Sequence, residues 1–288
     1  MRHASRGLTA FAAILLLVMS AVAQQRNSDI ENIGNRDINR GDVQFMVPNV
    51  EAEIAIGRNL ARELEQNVTL LNNPVVVDYV NRVAQNVVTN SDAKLPFTIK
   101  VIDSAEVNAI GLPGGFLYVT AGLIQTADNE AQLAAMIAHA VAHVAARHAA
   151  EQQGRATLVN MAALPLTASP SVPSMGFPDL QKGSPALPLS FLKWDRAAVE
   201  EADWLGLQYL YKAGYDPTAM VVFFQKVTTL GIVGRPVSES FSTHPRIEDR
   251  IAQSLKNIRT YLPARQQNVV TTAEFQEIKN RLLELKAK

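Results

Sequence analysis

The chain has 288 residues, 27 Lys and Arg against 27 Asp and Glu, no cysteine, and 48% hydrophobic residues. That length fills one large or two modest domains, with roughly 70% or more of the unfolded surface buried. Zero formal charge argues against a general polyanion or nucleic-acid binder, and the missing Cys exclude disulfide frameworks, thiolate zinc sites, cysteine nucleophiles and lipidated cysteine anchors.

Arg2 and Arg6 precede an apolar run from Leu8 to Met19, and Ala21-Val22-Ala23 has the small-x-small pattern of a signal-peptidase site. The run is about a dozen residues, short of the roughly twenty that a membrane-crossing helix needs. Residues 1–23 are therefore expected to be a signal peptide, and their removal leaves 25 basic and 27 acidic residues. The expected location is the periplasm, or peripheral association with a membrane. Residues 24–49 are polar and lack apolar periodicity, which predicts a flexible leader.

From Glu51 the pattern becomes helical, with Ile54, Gly57, Leu60, Ala61 and Leu64 on one face up to about Glu65. Asn73-Pro74 opens a second helix through Val76, Val80, Val83 and Val87. Phe97, Ile99 and Val101 alternate with their neighbours as a strand. Leu112-Pro113-Gly114-Gly115 is a turn, with a short strand Phe116–Val119 behind it. Asp128-Asn129 caps a long Ala-rich helix expected from Glu130 to Gln152.

Six of the fourteen prolines fall between Pro165 and Pro188, so residues 163–190 are expected to be a loop, either disordered or covering a site. Helix resumes near Asp195, ends at Ala213-Gly214, and starts again after Asp216-Pro217 and after His244-Pro245. A final helix, Thr271 to Leu285, opens with a Thr271-x-x-Glu274 capping box. The main domain is thus expected over residues 50–262, with a C-terminal helix in 263–288. There is no internal repeat.

His139 and His143 lie four apart on the Ala-rich helix, rotated by about 40° and separated by about 6 Å along its axis. Two imidazoles so placed can converge on one tetrahedral zinc. The string His139-Ala140-Val141-Ala142-His143 is by itself a weak sign, since packed or hydrogen-bonded histidines produce that spacing more often than ligands do.

The surrounding text is more specific. Residues 106–150, from Glu106-Val-Asn-Ala-Ile-Gly-Leu-Pro-Gly-Gly through Asp128-Asn129-Glu130-Ala131 to Ala145-Ala146-Arg147-His148, resemble family forty-eight of the metallopeptidases. That family includes HtpX, the CAAX prenyl endopeptidase and exported bacterial relatives that serve protein quality control. A second block (Arg196, Glu201-Ala202-Asp203, Leu205-Gly206-Leu207, Tyr209, Ala213 to Pro217) and a third (Ser242-Thr243-His244-Pro245, Arg250-Ile251) fit the same pattern. The resemblance runs over about residues 50–255 and implies an α+β, mainly α, zincin-like metallopeptidase domain with a small sheet and a long H-x-x-x-H helix. It implies zinc as cofactor, with His139 and His143 as ligands and Asp203 orienting a His ring. His244 matches a histidine at the family's active site and is a candidate metal ligand, against the alternative of a helix-start residue before Pro245. The strand Gly115-Phe116-Leu117-Tyr118 matches the edge strand on which such peptidases lay an extended polypeptide.

The chain departs from the family at both functional carboxylates. Ala140 stands where the family's Glu activates the metal-bound water, and a methyl group accepts no proton. General acid–base catalysis is worth about 10²–10⁴-fold. Counting back four from Asp203 places Val199 at the third zinc ligand. Glu200 and Glu201 are neighbours, but each helical step turns a side chain by about 100°, so Glu200 substitutes only if the register shifts, and Glu201 is read as non-ligating. His148 is rotated well away from the pair and is assigned to packing or structural hydrogen bonding.

The leading expectation is an exported pseudopeptidase with weakened zinc affinity that binds polypeptide or a partner protein. One alternative is an active zinc endopeptidase using His139, His143 and a substitute ligand. Another is a metal-binding or structural module whose terminal helix docks a partner through Phe275, Ile278 and Leu282.

Overall fold

The fold was analysed in a computed structural model that describes residues 29–39, 49–152, 196–231 and 246–286. The expected signal peptide, the proline-rich stretch 163–190 and His244 lie outside the described residues. The described chain is α+β and mainly α. Helices α1 (Val50–Asn67) and α2 (Pro74–Thr89) lead into strands β1 (Thr98–Ile102), β2 (Ala109–Leu112) and β3 (Phe116–Thr120). Helices α3 (Ala121–Thr126), α4 (Glu130–Ala145), α5 (Arg196–Lys212), α6 (Thr218–Thr229), α7 (Ile247–Tyr261) and α8 (Ala273–Lys286) follow. Among the described residues no helix is long and apolar enough to cross a membrane.

The sheet has the order β1-β3-β2, with β1 parallel and β2 antiparallel to the central β3. Strand alternation gives it two apolar faces. Ile102, Ile110, Leu112 and Tyr118 pack against Leu60, Ala61 and Leu64 of α1, while Ile99, Val101, Leu117 and Val119 join the main core with α2 and α4. The tight β2–β3 connection needs Gly114 at φ +74°, a left-handed conformation that costs glycine nothing, and the backbone of α1 lies directly on it.

The packing of α4 positions the site. Asn129 caps its start by accepting a hydrogen bond from Gln132 N, and nearly every residue through Ala145 is buried. A helix covered on all sides belongs in a core, and its alanines let α2, α5, α6 and β2 approach from different directions.

Four expectations change. Residues 29–39, inside the stretch read as a flexible leader, dock onto the domain. Arg36 ion-pairs with buried Asp92 and donates to Gln208 Oε1 at 2.6 Å, and Asn39 donates to the Ala145 carbonyl at 3.0 Å. The long helix stops at Ala145 rather than running on to Gln152, because Arg147 adopts φ +55° and helical structure resumes only at residue 148. At α8 the capping side chain is Thr272, whose hydroxyl accepts from Phe275 N at 3.3 Å, while Glu274 pairs with Arg82 instead of closing a box with Thr271. Phe275, Ile278 and Leu282 are buried in the main core, so they are not presented to a partner.

Candidate functional site

His139 and His143 project from α4 with ring centroids 4.7 Å apart and planes inclined at 85°. Asp203 on α5 brings Oδ1 to 2.9 Å from His139 Nδ1. Arg250 on α7 grips the same carboxylate with Nε and Nη2 at 2.8 and 2.7 Å, and its guanidinium lies 4.2 Å over the Phe224 ring. Burial alone raises the Asp203 carboxyl, but the charge and hydrogen bonds of Arg250, with His139, hold it well below the usual carboxylate range. Burial pushes His139 down, against the pull of Asp203.

Helices α4 and α5 run antiparallel across this site. A Cβ on Gly206 would lie 3.1 Å from His139 N, Asp203 meets the His139 ring, and Glu201 meets His148 further along. Val199, one turn before Asp203 on the same face of α5, is fully buried. Ala140 is also buried, between the two histidines in sequence, and β2 presses on it: a Cβ on Gly111 would sit 2.6 Å from the Ala140 carbonyl oxygen.

The neighbouring acids are committed elsewhere. Glu200 is half exposed and accepts from Arg196 Nε at 2.7 Å on the outer side of α5, so the register shift that would bring it to the histidines does not occur. Glu201 lies 3.3 Å from His148 Nε2. Among the described residues no group of three His, Asp or Glu side chains converges as a metal site. The two imidazoles suit zinc and the third protein donor is missing, so a three-ligand peptidase centre does not fit the described residues.

Two side chains that sequence reasoning left aside belong to the site. His148 is not rotated away: the break at Arg147 returns its ring to 4.9 Å from that of His143, with the two Nδ1 atoms 2.9 Å apart. Arg250 had only a motif match, and its grip on Asp203 depends on a helix nearly fifty residues downstream of α5's acidic motif.

The strand expected to hold substrate is also displaced. β3 is the central strand, hydrogen-bonded on both sides, so Gly115, Phe116, Leu117 and Tyr118 do not form an open edge. Tyr118 is buried, its hydroxyl donating to Glu65 at 2.5 Å. Among the described residues the strand left unpaired on its outer side, next to α4, is β2. Thr120 N donates to the Asn108 carbonyl at 3.1 Å, and the alternation of an antiparallel ladder then turns the backbone N–H and C=O of Ala109 and Gly111 away from β3. The sequence signal was the alternation in Asn108-Ala-Ile-Gly-Leu112, ended by Pro113.

Comparison with known proteins places the chain in a family. The beta-barrel assembly-enhancing protease of Escherichia coli is 30% identical over 208 residues, which are 70% of this chain and 43% of that protein. A Vibrio cholerae protein assigned the same name is 30% identical over 251 residues, 85% of this chain and 50% of its own length. The mitochondrial metalloendopeptidase OMA1 of Arabidopsis thaliana is 35% identical over 151 residues, 52% of this chain and 29% of that protein. The chain thus spans about half, or less, of the length of these curated relatives. The family model for peptidase family M48 matches residues 72–258, well over half of the chain, and the chain belongs to that family.

Proposed function

We propose that this chain is an exported, zincin-like member of the family in which peptide hydrolysis has been lost and binding of extended polypeptide retained. The observation that carries the reading is the pair Ala140 and Val199. Both are buried on the facing helices α4 and α5, at the positions where the resemblance calls for the water-activating Glu and the third zinc ligand. Neither side chain can accept a proton or donate an electron pair. Glu200 and Glu201, the nearest acids in sequence, are engaged with Arg196 and His148. Zinc held by His139 and His143 without the carboxylate would be bound more weakly than in a complete three-ligand site.

The open edge of β2 supports the binding half of the reading. An incoming strand would pair with the backbone of Ala109 and Gly111, a mode that takes its affinity from main-chain hydrogen bonds and tolerates many sequences. The bacterial relatives are named for β-barrel assembly, and unassembled barrel strands offer the extended, unpaired backbone that such an edge takes. His244, outside the described residues, remains a proposed further ligand.

The test is zinc content by elemental analysis after dialysis, together with hydrolysis of an unfolded protein reporter with and without chelator. The mature protein is expected to show no chelator-sensitive hydrolysis and to retain a strand-forming peptide. The double variant Ala140→Glu, Val199→Glu is expected to gain zinc and turnover. Chelator-sensitive hydrolysis by the unaltered chain, abolished by His139→Ala, would overturn the reading.

A further inference from the structure

Helix α4 ends at Ala145, and the left-handed Arg147 that follows is anchored by its Nε, which donates to the buried Glu53 carboxylate at 2.6 Å. In an unbroken helix His148 would point about 140° away from His143 and lie about 7.5 Å further along the axis. The break brings it back instead. His148 lies buried between His143, Nδ1 to Nδ1 at 2.9 Å, and Glu201, whose Oε2 is 3.3 Å from His148 Nε2.

We propose that His148 and Glu201 are positioning residues that fix the tautomer of His143, as Asp203 and Arg250 fix that of His139. A carboxylate only accepts hydrogen bonds, so the Glu201 contact places the hydrogen of a neutral His148 on Nε2 and leaves its Nδ1 as an acceptor. Two Nδ1 atoms in hydrogen-bond contact need one hydrogen between them, and His143 must supply it. The lone pair of His143 then sits on Nε2. His139 reaches the same state by a different device: its Nδ1 faces the ionised Asp203 carboxylate, gripped by Arg250, so its lone pair is on Nε2 as well.

Two hydrogen-bonded chains, each ending on an acid of α5, thus leave the lone pair of both rings on Nε2, and His143 Nε2 is buried. Hydrogen-bonded partners of this kind orient imidazoles that bind transition-metal cations. The apparatus that aims the rings is complete here, although the carboxylates that would work beside them are replaced by Ala140 and Val199. The inference concerns the rings alone and holds whether or not the chain hydrolyses peptides.

The test is long-range ¹H–¹⁵N NMR of the mature chain labelled at histidine, metal-free, above the ordinary imidazole pKa of about 6.5. His139 and His143 are expected to carry hydrogen on Nδ1 and His148 on Nε2. Glu201→Lys puts a donor where the acceptor stood, on a side chain partly exposed to solvent, and should invert the chain: His148 hydrogen on Nδ1, His143 hydrogen on Nε2, His139 unchanged. His148→Phe should release the His143 tautomer without moving that of His139. A purely structural role for His148 would lower stability and leave the His143 tautomer where it was. Finding His143 with its hydrogen on Nε2 in the unaltered chain, or still on Nδ1 in Glu201→Lys, would overturn the proposal. Hydrolysis is not among these readouts, so a failure here is separate from a failure of the proposed loss of activity.

Discussion

Replacing Arg250 by Met removes the cation that keeps Asp203 ionised inside the protein while retaining a flexible apolar chain over Phe224. The two side chains are 3% and 8% exposed, and two hydrogen bonds at 2.8 and 2.7 Å join them. Removing one partner of such a buried pair typically costs about 3–5 kcal/mol, because the other charge is left uncompensated. Two effects modify that figure. The contact of the guanidinium with Phe224 at 4.2 Å is lost, about 1–2 kcal/mol when desolvated, but Met recovers part of it through sulfur–aromatic packing. Asp203 also retains His139 at 2.9 Å, and an imidazolium there would partly neutralise it. A net loss of about 3 kcal/mol remains. With a urea m-value of roughly 2–3 kcal/mol/M, the unfolding midpoint should fall by about 1–1.5 M. The double variant Arg250→Met, Asp203→Leu should recover at least half of the loss, since apolar replacements of whole buried pairs are often neutral. A single variant within about 0.5 kcal/mol of the parent, or a double variant worse than the sum of the singles, would refute the account of Arg250 as the clamp on Asp203.

Gly111→Ala would drive a methyl to 2.6 Å from the Ala140 carbonyl and 2.8 Å from Val144 Cγ2. It should cost about 1–3 kcal/mol in thermal unfolding, and a neutral result would mean that β2 does not press on α4. Arg36→Met strands the buried Asp92 carboxylate and should cost about 3–5 kcal/mol while exposing residues 29–39 to limited proteolysis; an unchanged digestion pattern would count against the docked strap. Acid should destabilise the fold in two steps. His139 is depressed in the folded state, so below its unfolded pKa of about 6.5 the unfolded chain binds the extra proton and stability drops. Asp203 is also depressed, so its contribution is full above about pH 3.9 and is lost as pH falls further through the folded value. Urea midpoints measured from about pH 8 to about pH 4 should decline first near neutrality, with a shallower decline in His139→Asn; a flat profile through that window would contradict the burial of a neutral His139.

Much of the fold was written in local patterns. The valines of α2 at helical spacing, the Asn73-Pro74 start and the alternation of β1 each depend on residues within one or two turns, where side-chain direction follows backbone period. The same local logic places Val199 on the face of α5 that carries Asp203 and Glu200 off it, because position within a helix fixes side-chain direction. Errors arose where the chain had no periodic signal. Residues 29–39 are polar and aperiodic, yet Ile33 and Arg36 are buried, since their partners Asp92, Gln208 and Tyr209 are distant in sequence.

The sequence by itself determined the family, the helical framework, the His139–His143 spacing and the presence of Ala and Val at positions 140 and 199, all of them functions of residue type and short-range spacing. The tertiary structure alone decided that β3 is the central strand and that β2, among the described residues, lies at the edge, because strand order is a matter of pairing between segments and leaves no trace in alternation. It alone brought His148 back beside His143, through one left-handed residue tied to a glutamate ninety-four positions earlier. It alone joined Arg250 to Asp203 across two helices. Contacts of that range are set by how the buried faces of helices and sheet fit together, and no local window of the sequence contains that information.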